Sequence, residues 1–333
     1  MTQPAHYIGI MSGTSLDGAD AVLAAFSQDA PQLTGSLHLS FDPLLQAELL
    51  ALNGACDNEL ERAALAANRL AHTYAKAVNQ LLEENNVSAS LVKAIGCHGQ
   101  TIRHRPELGY TIQLNNPALL AELTGMTVIA DFRSRDIAAG GQGAPLAPAF
   151  HNAVFRDSGM HRVVINIGGI ANLTDLALGK PVTGFDCGPG NMLLDAWIRH
   201  HQGLPYDDGG QWAASGKLIP ALLEALLREP FFIQPPPKST GRDLFNMDWL
   251  GRFLAPGYAP QDVQATLLAL TAESIALAVR THCPGTQEIY LCGGGAYNCA
   301  LVSAISQRLP GIEIRTTKSL GIAAGVKSPL PDW

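Results

Sequence analysis

No cationic stretch followed by an apolar core opens the chain, so Met1 to His6 lacks the pattern of a secretory signal. No apolar run approaches the ~20 residues that cross a bilayer, and a membrane is not an expected partner. Charge is sparse at 15% of residues, and 22 basic against 29 acidic side chains leave a net charge of -7. Without a basic block to neutralise phosphates along a duplex, nucleic acid is excluded as a partner. The six cysteines are scattered. Their closest pair, Cys292 and Cys299, is too widely spaced for a C-x-x-C redox or zinc motif, and a chain of this size needs no disulfides. These absences point to a cytoplasmic protein with reduced thiols. The Walker phosphate loop, the dinucleotide pattern G-x-G-x-x-G and the hydrolase elbow G-x-S-x-G are also missing. His98 and His104 have no metal-ligand partners at useful spacing, and His200-His201 suits a helix end, where the dipole favours imidazolium.

What is present is apolar residue and glycine. The 333 residues are 47% hydrophobic, enough for substantial cores and two domains of about 150 residues each. The boundary falls in the loop region Gly140 to Pro148. Tyr7 to Met11 and Ala19 to Phe26 predict a β-hairpin with an enlarged polar tip. Leu60, Ala63, Ala67, Leu70, Tyr74, Val78 and Leu81 recur at helical spacing, predicting a helix over Asn58 to Glu84 with Asn58 and Glu61 as a capping box. Leu91 to Cys97 reads as a buried strand running into His98-Gly99-Gln100-Thr101. Met126 to Ala130 is strand-like, and Pro235-Pro236-Pro237 is a local loop. Three more strands end in glycine: Arg162 to Ile167 before Gly168-Gly169, Val182 to Phe185 before Asp186, and Glu288 to Cys292 before Gly293-Gly294-Gly295. Helices are expected over Met192 to His200, over Asp262 to Thr281 and after the last glycine turn. Strands alternating with helices give an α/β class, whose ligands collect at the carboxyl ends of strands.

Glycine lets backbone N–H groups approach a phosphate, hydroxyls add donors, and a carboxylate can hold Mg²⁺. The turn Ser12-Gly13-Thr14-Ser15-Leu16-Asp17-Gly18 has all three, yet an ordinary hairpin tip has the same composition. Gly168-Gly169 is either a second phosphate turn or a tight turn, and Gly293-Gly294-Gly295 would open a helix suited to a nucleotide. Asp186 is either a rigidly held base for phosphoryl transfer or a cap for the following helix. Asp131 to Asp136, with Arg133, reads as a solvated loop or as a carboxylate- or phosphate-gripping segment beside Gly140-Gly141-Gln142-Gly143. Lys238-Ser239-Thr240-Gly241-Arg242 offers the same choice against a plain surface loop.

In order along the chain, Gly9 to Gly18, Gly96 to His104, Asn116 to Glu122, Ala130 to Arg133, Ala138 to Leu146, Asn166 to Gly169, Gly184 to Asn191, Lys238 to Gly241 and Cys292 to Gly295 resemble the anhydro-N-acetylmuramic acid kinase family. The match runs from residue 7 to about residue 322. The resemblance implies a two-domain actin-like (ribonuclease H-like) ATPase fold with an interdomain cleft, its domains spanning residues 1–145 and 146–333. It implies hydrolytic opening of the 1,6-anhydro bridge of 1,6-anhydro-N-acetylmuramic acid and ATP-dependent phosphorylation of O6, in peptidoglycan recycling. Asp186 would be the general base for water. Ser12, Gly13, Thr14, Ser15, Leu16, Asp17, Gly18, Ala19 and Asp20 would hold ATP phosphates and Mg²⁺, with Asp17 the metal candidate. Gly168, Gly169, Gly293, Gly294 and Gly295 would also line the nucleotide, and Gln100, Thr101, Arg133, Gly141 and Gly143 would face the amino sugar. A homodimer is an allowed assembly. After Leu320-Gly321-Ile322 the sequence departs from the family pattern: it has prolines, no glutamate and no helical period, like a truncated or frame-shifted end. The alternatives are therefore a member impaired in catalysis and a kinase of another amino sugar.

Overall fold

A computed structural model describes residues 5–13, 16–26, 31–241 and 244–321. Thr14, Ser15, Arg242 and the divergent tail from Ile322 lie outside the described residues. The chain divides into a first unit ending at Leu146 and a second beginning at Ala147.

The first unit is a mixed sheet of β1 (Ala5–Ser12), β2 (Gly18–Phe26), β3 (Pro31–Ser40), β4 (Val92–Arg105), β5 (Tyr110–Leu114) and β6 (Val128–Ile129). The order β3-β2-β1-β4 starts as an antiparallel meander and continues with β4 parallel to β1. β5 returns antiparallel on the distal part of β4, and β6 runs parallel beside its start. The second unit has β7 (Arg162–Ile167), β8 (Ile170–Leu176), β9 (Thr183–Pro189), β10 (Glu288–Cys292) and β11 (Glu313–Thr316), ordered β11-β10-β7-β8-β9. Again the first three strands form a meander, and β10 and β11 follow in parallel. One plan is thus written twice, with a long helix between the meander and the next strand each time: Glu59–Glu84 and Pro260–His282. This doubled sheet matches the two-domain actin-like architecture that the resemblance implies.

Each sheet has its own apolar core. Leu70, Tyr74, Val78 and Leu81 of the first long helix pack with Ile8, Ile10, Leu23 and Ile95, all fully or nearly fully buried. Leu267, Leu270, Ile275 and Val279 of the second pack with Ile165, Leu173, Phe185 and Leu291. By length and composition the helix Pro260–His282 matches a membrane span, which corrects the expectation that no stretch comes near that threshold. It packs as the core helix of the second unit, with 78% of its apolar window buried.

Several local expectations need correction. Asn58 sits at φ 55° and makes no side-chain cap; its amide bonds the Glu61 carboxylate instead of the helix N–H groups. Leu60 is 89% exposed, so the buried stripe starts a turn later. The strand expected over Leu91 to Cys97 starts at Val92 and does not end at Cys97: β4 continues through His98-Gly99-Gln100-Thr101, with a register shift relative to β1. Gly99 takes φ +78°, where a Cβ would lie 2.6 Å from the Leu114 carbonyl oxygen, so glycine is what lets the strand kink there and continue. Met126 to Ala130 contributes only the two residues of β6.

Candidate active site

In the second unit, the glycine turns meet at the carboxyl ends of their strands. The tip of the β7–β8 hairpin is Gly168-Gly169. Its two carbonyls accept N–H bonds from the turn after β9: Asn191 N to Gly168 O at 2.8 Å, Gly190 N to Gly169 O at 2.8 Å and Met192 N to Gly169 O at 3.1 Å. Gly190 has to be glycine because a Cβ there would collide with the Gly168 carbonyl. Gly293 stands at φ +80°, and side chains at Gly293 or Gly295 would strike Asn166 or Ile167 at the end of β7. The triple glycine opens a short 3₁₀ turn, Gly294–Tyr297, not an α-helix. The helix Cys299–Arg308 begins later, capped by Asn298 through a 3.0 Å bond to Leu301 N.

Asp186 lies within β9, opposite Asn172 of β8, and is only 3% exposed. It does not cap the following helix. Its Oδ2 accepts the Thr240 N–H at 2.8 Å, and its own N–H donates to the Lys238 carbonyl at 3.1 Å. Burial pushes its carboxyl up to about 7; the Thr240 N–H bond and then the charge of Lys238 oppose that rise. The Lys238 segment is therefore no surface loop: Lys238 is 9% exposed and its ammonium donates to the Phe231 and Phe232 carbonyls at 3.2 and 3.3 Å.

Beside Gly294 a cavity of about 380 Å³ is lined by Asn191, Leu194, Asp195, Tyr206, Asp207 and Asn298, among others. Burial pushes the Asp195 carboxyl up to about 6. Asp207 is committed to structure, accepting from Trp212 N and Ala213 N at 2.9 Å each. Asn191 closes the Gly184–Asn191 motif but is not among the site residues expected from the sequence, and neither is Asp195 in the helix that follows.

In the first unit, Ser12, Gly13, Leu16, Asp17, Gly18, Ala19 and Asp20 surround the β1–β2 hairpin tip; Thr14 and Ser15 are outside the described residues. Leu16 N bonds the Gly13 carbonyl at 3.1 Å, and Leu16 itself has φ 57°. Ser12 is the register partner of Gln100 on β4. A continuous chain of hydrogen bonds starts there. The Tyr74 hydroxyl meets Ser12 Oγ at 2.7 Å, and Ser12 Oγ donates to the Gly99 carbonyl at 3.3 Å. His98 Nδ1–H donates to the same carbonyl at 2.7 Å, while its Nε2 accepts from Arg133 Nε at 2.8 Å. Arg133 Nη1 then donates to Gly143 O at 3.2 Å, and Gly143 N to Asp136 Oδ2 at 2.7 Å. Burial, and then the Arg133 charge, push the His98 imidazole down to about 3, so it is the neutral acceptor the arginine needs.

Asp131 to Asp136 is accordingly not a solvated loop. Phe132–Ala138 is a helix, and Arg133 on it is 2% exposed. Gly141 leaves room for the Asp136 carboxylate, which a Cβ there would overlap. Gln100 is fully buried, its Oε1 without a hydrogen-bond partner among the described residues, and Thr101 Oγ1 accepts from Gln113 Nε2 at 3.1 Å. His98 was undervalued for want of a metal partner, and its adjacency to the glycine kink was the available signal. Tyr74 and Asp136 were missed as well. A single tyrosine hydroxyl in an apolar stripe marked the first of these.

The profile of the family described as Anhydro-N-acetylmuramic acid kinase matches residues 5–330. A relative of that name from Nitrosomonas europaea is 56% identical over 321 residues, covering 96% of this chain and 88% of its own length. One from Nitrosospira multiformis is 55% identical over 322 residues, with the same coverages. Among solved structures, a ROK family glucokinase from Streptomyces griseus, in complex with glucose and AMPPNP, aligns over 98% of this chain and 96% of its own at 11% identity and a TM-score of 0.44. Component A of the Acidaminococcus fermentans (R)-2-hydroxyglutaryl-CoA dehydratase aligns over 95% and 93% at 13% identity and a TM-score of 0.49.

Proposed function

The chain belongs to the anhydro-N-acetylmuramic acid kinase family, and from that premise we propose that it converts 1,6-anhydro-N-acetylmuramic acid and ATP to N-acetylmuramic acid 6-phosphate and ADP, in cytoplasmic recycling of peptidoglycan. The observation that carries the reading is Asp186: a buried carboxyl clamped by a backbone N–H, beside converging glycine turns, with its proton affinity raised to about 7. A base is most effective when its pKa lies near the working pH. Asp186 takes a proton from water as the water oxygen bonds to the anomeric carbon. The bond from that carbon to the bridging oxygen breaks, and the bridging oxygen, now O6, receives the γ-phosphoryl group. Arg133, Gly141 and Gly143, with Gln100 and Thr101, bind the sugar and its lactyl carboxylate. An arginine fixed through Nε and Nη1 presents a preset direction to a carboxylate.

The Ser12–Asp20 hairpin of the first unit, and Gly168-Gly169 with Gly293–Gly295 of the second, are the turns that would bind ATP. The cavity beside Gly294 takes the nucleoside; its volume is that of a small-ligand pocket. Among the described residues no three acidic, histidine or cysteine side chains gather as a metal cage. Mg²⁺ keeps several waters and binds through one or two carboxylates plus nucleotide phosphates. Asp17, exposed at the hairpin tip, is the carboxylate to hold it. When bound, the ion neutralises phosphate charge.

Isotope labelling tests the bond order. In ¹⁸O-enriched water, mass spectrometry of freshly formed product should place one heavy oxygen at the anomeric position and none in the phosphate ester. Label in the ester oxygen, or no sugar phosphate at all, would refute the reaction.

A further inference from the structure

Besides its place in β9 opposite Asn172, Asp186 is tied to the segment Lys238–Thr240. Its N–H donates to the Lys238 carbonyl, and its Oδ2 accepts from Thr240 N. What holds that segment is the Lys238 side chain. The ammonium lies 4.6 Å from the centre of the Phe231 ring and donates to the Phe231 and Phe232 carbonyls. Those residues form a 3₁₀ turn, Pro230–Ile233, whose rings pack on Phe245 in the apolar core. A buried ammonium on neutral acceptors is costly, because carbonyls and a ring face replace only part of its hydration. Among the described residues Lys238 has no carboxylate within ion-pair distance. Its charge favours the ionised Asp186 carboxyl, less strongly than the Thr240 N–H bond does.

The other groups around Asp186 carry little charge. Cys187 is buried and its thiol is pushed well above the usual range, so it stays neutral. From the helix Pro260–His282, His282 stacks edge-on against Phe185 at 5.2 Å, and burial, then Lys238, push its imidazole downward. From β8, the residue opposite Asp186 is Asn172. We propose that Lys238 is the positioning residue of the general base: its ammonium, held on the Phe231 and Phe232 carbonyls, pins the segment whose backbone orients the Asp186 carboxyl. This rests on the assignment of Asp186 as the base.

The experiment compares pH profiles of kcat/KM for wild type, Lys238→Met, Lys238→Gln, Lys238→Arg and Asp186→Asn. In Lys238→Met the acid limb should move upward by about one pH unit, so that activity falls roughly tenfold more below the limb than above it. Lys238→Gln keeps N–H donors for the two carbonyls but loses the charge; it should stay folded and show the same upward movement. Lys238→Arg should keep the wild-type midpoint. A loss of activity that is equal at every pH, with the midpoint unmoved in Met and Gln variants, would overturn the inference and leave Lys238 a packing residue. Wild-type turnover in Asp186→Asn would instead overturn the base assignment, and this inference with it.

Discussion

Asp186 has opposite effects on activity and stability, and both follow from its burial. Its carboxyl ionises near pH 7 in the folded chain against an ordinary value of 3.8. As the proposed base it would work only when ionised, so kcat/KM should rise with pH to a plateau, with a midpoint near 7; a flat profile between about pH 5 and 8 would contradict this. For stability, the folded form binds the proton more tightly than the unfolded one. Its contribution is full below about pH 4 and is lost as pH rises through about 7. Asn mimics the protonated group and can still accept the Thr240 N–H. Asp186→Asn should therefore match wild-type stability near pH 4 and exceed it by on the order of 2–4 kcal/mol near pH 8, measured by denaturant unfolding at both pH values. A gap that does not widen with pH would remove the burial argument. His98 is the counterpart in the first unit. His98→Ala strips the Arg133 Nε of its acceptor, and the KM for the sugar should rise about tenfold while the KM for ATP stays within about twofold. An unchanged sugar KM would detach Arg133 from the substrate.

Among the elements, it is the turns that tie strands into a site. Gly190→Ala would drive a Cβ into the Gly168 carbonyl and within 3.1 Å of Ala171 N. The β7–β8 tip must then part from the turn after β9, costing about 1–3 kcal/mol of stability and weakening ATP binding in calorimetry; a neutral substitution would show that the turns are not wedged together. Ser12→Ala leaves the buried Tyr74 hydroxyl without its 2.7 Å partner and should cost about 1–3 kcal/mol in thermal unfolding. Turns and strands with a strong local signal were legible in the sequence: the β1–β2 hairpin, the glycine tips of β7 and β10, and both long helices came from period and composition. What was hidden needs contacts distant in sequence. Arg133 looked like one charge among alternating charges until its helix buried it against His98, 35 residues away. Lys238 looked like loop because nothing local shows Asp186 bonding its carbonyl and the Thr240 N–H. The β4 strand passed through a glycine that by itself reads as a stop.

For the whole molecule, the two units repeat one sheet plan with separate cores. Leu70 is fully buried in the first core and Leu270 in the second. Truncating either to Ala should cost about 2–5 kcal/mol, and hydrogen exchange should locate the loosened amides in the unit that carries the substitution. Exchange that rises equally in both units would contradict separate cores. The family match spans residues 5–330, and the proposed base of its reaction is Asp186. Turnover by Asp186→Asn is the most direct test: ADP release with Mg-ATP and the anhydro sugar, alongside calorimetric binding of each ligand. The account predicts that release falls by at least about a thousandfold while both ligands still bind. Release within a few fold of wild type would contradict it.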